Sequence, residues 1–313
     1  MIYEDIKLQQ KRTGFELARL LDLYGINKST YYSWFARGKR LKSPQDARPA
    51  RVDSVTAEEE SKVLEFRKQQ PSAGYRKVCW MMVDADVAYL SESAVYTILS
   101  KHGMLQGWNR SDSEGTEKEY RHKPKHVHHH WHTDIAYIKV RNVFYFLIML
   151  LDGYSRYLLD WELMTDMTGK SVEMFIQKAK EKYPFAKPML INDNGSQFIS
   201  HDFKRLVTAL DIQQVFTRRN HPQTNGKIER MNGSVKQEAI RPNSPVSYEQ
   251  AWDVLNTYSY EYNHQRLHAG ISYLRPADMF FGRGNAILSE RKLKLVQARI
   301  RRIKTNKSML GSS

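Results

Sequence analysis

Apolar positions recur along the first hundred residues at the three- and four-residue spacing of helices. In residues 13–38, TGFELARLLDLYGINKSTYYSWFARG, Leu17, Leu20 and Leu21 share one face of a first helix. Gly25 makes the turn, and Asn27 or Ser29 can cap a second helix. That second helix carries Lys28, Thr30, Tyr31 and Arg37, in the order of a helix-turn-helix whose second helix enters the major groove of DNA. An ordinary helical hairpin satisfies the same pattern. A second helical group runs through AEEESKVLEFRKQQ, GYRKVCWMMVDAD and SESAVYTILSKHG, the last opened by Ser91 and closed by Gly103. Arg76 and Lys77 begin its middle helix and are further candidate DNA contacts.

From residue 131 the period changes. WHTDIAYIKV, NVFYFLIMLLD and RYLLDWELM are rich in β-branched and aromatic residues and are separated by turn signals at Arg141-Asn142 and Asp152-Gly153. Helix and strand then alternate: GKSVEMFIQKAKEKY, KPMLIND, HDFKRLVTALD and IQQVFT. A three-strand meander followed by this alternation specifies a mixed α/β sheet with helices on its faces. The apolar run VFYFLIMLL is too short to span a bilayer and reads as a buried strand. In the tail, Leu293, Val296, Ile300 and Ile303 repeat at helical spacing among basic residues, the pattern of an amphipathic basic helix. The expected organisation is therefore a helix-turn-helix over 1–40, a linker over 41–54 and a second helix-turn-helix over 55–106. A second linker over 107–130 leads to the α/β domain over 131–284 and a basic tail over 285–313.

Charge narrows the class of partner. The 313 residues carry a net charge of +15, which makes polyanions the first candidates. The one cysteine, Cys79, leaves no room for a disulfide framework or a multi-cysteine zinc site. The N-terminus lacks the apolar stretch of a signal peptide, and a cytoplasmic protein with no membrane partner is expected. The histidine run RHKPKHVHHHWH reads as a solvated basic strand that touches phosphate.

Three carboxylates then stand out. Asp134 lies inside a strand, where a charge is costly if the strand is central. Asp193 ends the strand MLIND, at the edge where α/β sheets place their ligands. Glu229 sits early in a helix that opens from the loop NHPQTNG. Acids so placed can converge, and they would repel one another without a divalent cation between them. Magnesium takes oxygen ligands, and two such ions would clamp the attacking and leaving oxygens of a phosphodiester displacement.

The motifs WHTDI (131–135), INDNGSQF (191–198) and HPQTNGKIERMN (221–232) resemble those of DDE transposases of bacterial insertion sequences, whose catalytic core is similar to retroviral integrase. The 35 residues between Asp193 and Glu229 match that family's spacing, and YNHQRLHAGISYLRPADMF (262–280) resembles the end of its core. Leu267 stands where the family usually has proline, a minor departure. The segment PSAGYRKVCWMMV with SESAVYTILSKHGM resembles the helix-turn-helix that precedes the core. The resemblance spans about residues 12–282. It implies an all-α helix-turn-helix N-terminal part followed by an α/β RNase H-like domain (the integrase catalytic core).

The resemblance further implies Asp134, Asp193 and Glu229 as catalytic metal ligands, with Mg2+ or Mn2+ as cofactor and two ions in the site. Lys236, seven residues past Glu229, matches a lysine with which the family contacts DNA, and Arg230, Asn225 and His221 are further candidate contacts. The implied activity is cleavage at element ends to free a 3′-OH and its joining to DNA. The implied partners are element ends and target DNA, a homo-oligomer assembled on DNA, and association with the nucleoid when DNA-bound. A catalytically inactive repressor, or an RNase H-like nuclease that does not join, are the alternatives.

Overall fold

The computed structural model describes residues 2–39, 51–105, 123–216 and 226–310, so the expectations at His221 and Asn225 lie outside the described residues. The chain divides into two compact units, Met1–Ser54 with Asn306–Ser313, and Val55–Thr305.

The first unit holds helices α1 (Ile2–Thr13), α2 (Leu17–Leu23) and α3 (Lys28–Lys39). Helix α1 had no place in the sequence reading, yet its Ile6 anchors the small core with Leu20, Leu21 and Tyr31. Gly14 and Gly25 make the two turns at φ of +67° and +64°, where a side chain would be strained. Tyr31 corrects the expectation of a DNA contact. It is only 5% exposed, packed in this core and 5.2 Å from the ring of Tyr3, while Tyr32 beside it is 56% exposed. A unit this small has few large side chains to close its core, and Tyr31 fills the space beside Tyr3 and Ile6 of α1.

In the second unit, α4 (Ala57–Gln69), α5 (Tyr75–Asp84) and α6 (Glu92–Lys101) surround their own core of Val63, Val78, Cys79, Met82, Leu90, Val95 and Leu99. Thr56 and Glu59 close a reciprocal capping box on α4, and Ser91 caps α6 through the amide of Ala94. Burial pushes the Cys79 thiol up to about 12, which makes it a packing residue.

The rest of the unit is built on five strands: β1 (His130–Val140), β2 (Val143–Asp152), β3 (Leu158–Met164), β4 (Met189–Asn192) and β5 (Gln213–Phe216). Their order in the sheet is β3-β2-β1-β4-β5, with β1, β2 and β3 an antiparallel meander and β4 and β5 parallel to β1. The run VFYFLIMLL is a strand paired on both sides and buried from Leu147 onward, while Val143 and Phe144 at its start are exposed. Helix α7 (Gly169–Lys182), the short α8 (Ser196–Ile199) and α9 (His201–Ala209) supply Phe175, Phe198 and Phe203 to one face, against Trp131, Ile148 and Leu150.

The other face is covered by α10 (Gly226–Ser234), which runs on through a π-helical stretch, Val235–Ile240, into α11 (Arg241–Asn243), and by α12 (Tyr248–His264). Ile228, Met231, Val235 and Leu255 meet Ala136, Ile138, Leu147 and Met149 there. Helices α13 (Pro276–Phe280) and α14 (Gly284–Leu310) follow. The mixed α/β sheet expected from the strand pattern is therefore present, and the N-terminal part is helical.

Long-range polar contacts tie these layers together. Asn263 donates to the carbonyl of Leu158 and accepts from its amide, at 3.0 and 2.8 Å, completing the backbone pairing at the free edge of β3. Arg291 of α14 is 3% exposed and reaches back to α5, where it pairs with both carboxylate oxygens of Asp84 at 2.8 and 2.7 Å. The histidine run also departs from expectation. His130 and His132 belong to β1 and are buried, and His128 packs edge-on to Trp131. The strand starts one residue earlier than its β-branched composition suggested, and the parallel pairing with β4 draws both rings inside.

Candidate active site

The two aspartates are placed by strand register. In the parallel pair of β1 and β4, His132 is level with Ile191. Asp134 follows two residues on in β1, and Asp193 is the first residue past the end of β4. Because side chains alternate along a strand, Asp134 leaves β1 on the same side as Ala136 and Ile138. That side is the one α10 covers, since Ala136 and Ile138 of β1 meet Ile228 and Met231 of the helix. Glu229 lies in the first turn of α10, between those two buried anchors, and is itself exposed.

Asp134 is half-buried, and its Oδ2 accepts a hydrogen bond from Nδ2 of Asn232 at 2.8 Å. Its carboxyl is pushed up to about 6, first by burial and then by the negative charge of Asp193, with Glu229 adding to it; the bonds from the Ile135 backbone and Asn232 oppose the rise. Asp134 thus feels the charge of both other acids. Asp193 Oδ1 accepts from the amide of Gly195 at 3.0 Å, a turn that ends β4 and aims the chain into α8.

Among the described residues, no three His, Cys, Asp or Glu side chains stand close enough together to hold one metal ion as arranged. The donor chemistry nevertheless fits a hard divalent cation. All three groups offer carboxylate oxygens, and the upward push on Asp134 by its acidic neighbours is an effect that a cation among them reverses.

The turn expected at Asp152-Gly153 is present, and it is strongly polar. Asp152 at the end of β2 is fully buried and accepts from the amides of His128, Tyr154 and Ser155 and from the Ser155 hydroxyl. Gly153 lies so close to β1 that an added Cβ would stand 2.8 Å from Nε2 of His132. Lys227, two residues before Glu229, donates to the Gly153 carbonyl at 3.1 Å. Burial, then the charge of Arg156, pushes the Lys227 amine down to about 7, and burial likewise holds His132 well below the usual imidazole range.

The candidate DNA contacts divide by location. Lys28 and Thr30 are exposed at the start of α3, while the side chain of Arg37 lies outside the described residues. Arg230 is exposed beside Glu229, and Lys236 is half-buried within the π-helical stretch. Arg76 pairs with Glu92 at 3.2 Å. Lys77 is half-buried and its amine is pushed down, first by burial and then by Arg266, with Glu238 opposing. Glu238 is engaged by Arg266 through two bonds of 2.9 and 2.7 Å.

Asn232, Lys227 and Gly153 are the residues near the site that sequence reasoning missed. Asn232 and Lys227 both lie within the motif HPQTNGKIERMN, and the spacing of Asn232, three residues past Glu229 on the same helix face, was the available signal.

Two family models, each described as an integrase core domain, match residues 124–222 and 210–276. The chain is 25% identical over 153 residues to the transposase for insertion sequence element IS904 of Lactococcus lactis, covering 47% of this chain and 59% of the relative's length. It is 20% identical over 236 residues to the insertion element IS407 uncharacterized 31.7 kDa protein of Burkholderia multivorans, covering 74% of this chain and 83% of that protein. Among solved structures, the simian T-cell lymphotropic virus intasome in complex with a PP2A regulatory subunit aligns with a TM-score of 0.46 at 17% identity, over 70% of this chain and 74% of its own. The HTLV-2 integrase catalytic core domain in complex with magnesium aligns with a TM-score of 0.40 at 20% identity, over 50% and 99% of the two chains. The chain is thus similar to insertion-sequence transposases, and the stretch that matches the integrase core models holds the five-stranded sheet and the three acids.

Proposed function

We propose that this chain is a DNA transposase that frees 3′-OH ends on its mobile element and joins them to DNA, with Asp134, Asp193 and Glu229 as the catalytic acids. The observation that carries the reading is the 2.8 Å bond that joins Asp134 of β1 to the helix that holds Glu229, with Asp193 just past the end of the neighbouring parallel strand β4. Magnesium or manganese, as a pair of ions, would be held by these carboxylates and would supply Lewis-acid polarisation of the phosphodiester and of the attacking oxygen.

The chain's own groups do the positioning. Asn232 orients the Asp134 carboxylate through its amide. Arg230 and Lys236, on the helix that carries Glu229, bring positive charge to DNA phosphates beside the acids. In the first step a water oxygen bonds to phosphorus as the bond to the 3′ oxygen breaks, leaving a 3′-OH. In the second that hydroxyl loses its proton, attacks a phosphorus of the target strand and displaces that strand's 3′ oxygen. Neither step requires a covalent bond to the protein.

Sequence recognition would come from the helical segments, with Lys28 and Thr30 presented at the start of α3, and assembly on DNA as a homo-oligomer fits an enzyme that must handle two element ends. The net charge of +15 supports a polyanionic partner. The test is a strand-transfer assay with magnesium on labelled duplexes of candidate element ends. Asp134→Asn, Asp193→Asn and Glu229→Gln each abolish cleavage and joining and leave duplex binding near the wild-type level. Substantial joining by any one of them removes that acid from the site.

A further inference from the structure

Glu229 stands on its helix between two residues that reach back to the sheet. Three residues on, Asn232 donates to Asp134 of β1 at 2.8 Å. Two residues before, Lys227 donates to the carbonyl of Gly153 at 3.1 Å. The amide of Gly153 donates in turn to the carbonyl of His130 at 2.8 Å, so the turn that receives Lys227 is itself fastened to β1. Lys227 and Asn232 are five residues apart, roughly 140° around an α-helix at about 100° per residue. One tether leaves a helix free to roll about the bond; two on different sides fix both its roll and its height above the strand.

The seat of the first tether is closely built. Asp152 is buried and saturated by His128, Tyr154 and Ser155, which freezes the turn from its start. Gly153 can approach β1 only because it lacks a side chain, since a Cβ there would meet Nε2 of His132 at 2.8 Å and Cβ of His130 at 2.9 Å. The acceptor for Lys227 is therefore held at a set distance from the strand that carries Asp134.

We propose that Lys227, through its bond to the Gly153 carbonyl, is a positioning residue that sets the distance of Glu229 from Asp134 and Asp193. This rests on the reading of those three acids as metal ligands. A carboxylate held at the wrong roll still belongs to a folded helix, because Ile228 and Met231 keep α10 packed on the sheet. Loss of the tether consequently acts on the site and leaves the fold in place.

The experiment titrates manganese into the full-length protein without DNA and follows the free ion by electron paramagnetic resonance, beside the metal dependence of joining. Lys227→Met raises the manganese concentration for half-saturation by about tenfold, the loss of roughly one well-placed polar interaction, and the maximal joining rate at saturating metal recovers most of its wild-type value. Lys227→Arg, which keeps a donor of similar reach, binds manganese close to the wild-type level. Circular dichroism and thermal melting confirm that each variant is folded, and Lys227→Gln serves if the methionine variant is not.

Asp134→Asn run in parallel separates the two claims. If Asp134→Asn binds manganese as tightly as wild type, the metal reading of the acids is wrong. If Asp134→Asn loses binding while folded Lys227→Met, or Lys227→Gln in its place, titrates like wild type, the acids stand and the positioning role of Lys227 is refuted.

Discussion

His268 shows how one side chain can carry a measurable pH dependence. Its Nδ1 accepts from the amide of Gly270 at 3.1 Å, which requires that nitrogen to be unprotonated. Burial, followed by the charges of Arg156, Arg266 and Arg230, pushes its imidazole down to about 3. In the unfolded chain the same group titrates near its ordinary value of about 6.5. Below that pH the unfolded state takes up a proton that the folded state refuses. The contribution to stability is thus complete above about pH 6.5 and is lost as pH falls toward 3. By pH 4.5 the loss is on the order of 2–3 kcal/mol from this group. Urea unfolding at pH 7.0 and 4.5 checks it: His268→Asn, which keeps an acceptor but cannot titrate, shows a shallower decline than wild type. Parallel declines would mean that His268 is protonated in the folded protein.

At the scale of elements, the free edge of the sheet is where the fold needed a device that strand propensity does not supply. β3 is an outer strand, and Asn263 from α12 pairs with both backbone groups of Leu158, as a neighbouring strand would. Replacing it by alanine leaves a buried amide and carbonyl without partners. Asn263→Ala is expected to lower the free energy of unfolding by about 2 kcal/mol, read from the midpoint of a urea transition. An unchanged midpoint would show that water satisfies Leu158 equally well. The π-helical stretch Val235–Ile240 is another feature of this scale, because it changes the angular step between Glu229 and Lys236 from that of a regular helix. Lys236 therefore cannot be placed on the Glu229 face by counting residues alone.

For the molecule as a whole, the contact between Arg291 and Asp84 fastens the last long helix to α5. The guanidinium is almost fully buried and also donates to the carbonyls of Ser272 and Tyr273, at 3.1 and 2.8 Å, with its carbon 5.0 Å from the Trp80 ring centre. Removing one partner of such a pair leaves a charge and two carbonyls without their donor. Arg291→Met is expected to cost about 3 kcal/mol, seen as a lower melting temperature. A melting temperature equal to that of wild type would mean that the pair offsets only its own desolvation. Along the same helix Leu293, Val296 and Ile300 of the expected stripe are exposed and Ile303 is half-buried, while Arg291 and Ala298 are buried.

Much of this protein was determined locally. Alternating apolar and β-branched residues identify β1, β2 and β3, capping residues such as Ser91 open helices, and three acids stand out because each occupies a position where a charge is costly or conspicuous. Such features are contained in windows of a dozen residues, which is why they can be read without a structure. The tertiary structure decided what no window contains. Asp134 and Asp193 are brought near each other only by the pairing of two strands more than fifty residues apart in the chain. Asn232 meets Asp134 across 98 residues, Lys227 meets Gly153 across 74 and Arg291 meets Asp84 across 207. Tyr31, His130 and His132, each amphipathic and each plausible at a surface, were drawn inside by the packing of distant elements. Side chains with both a polar and an apolar part suit either environment, so their placement is set by what the rest of the chain brings against them.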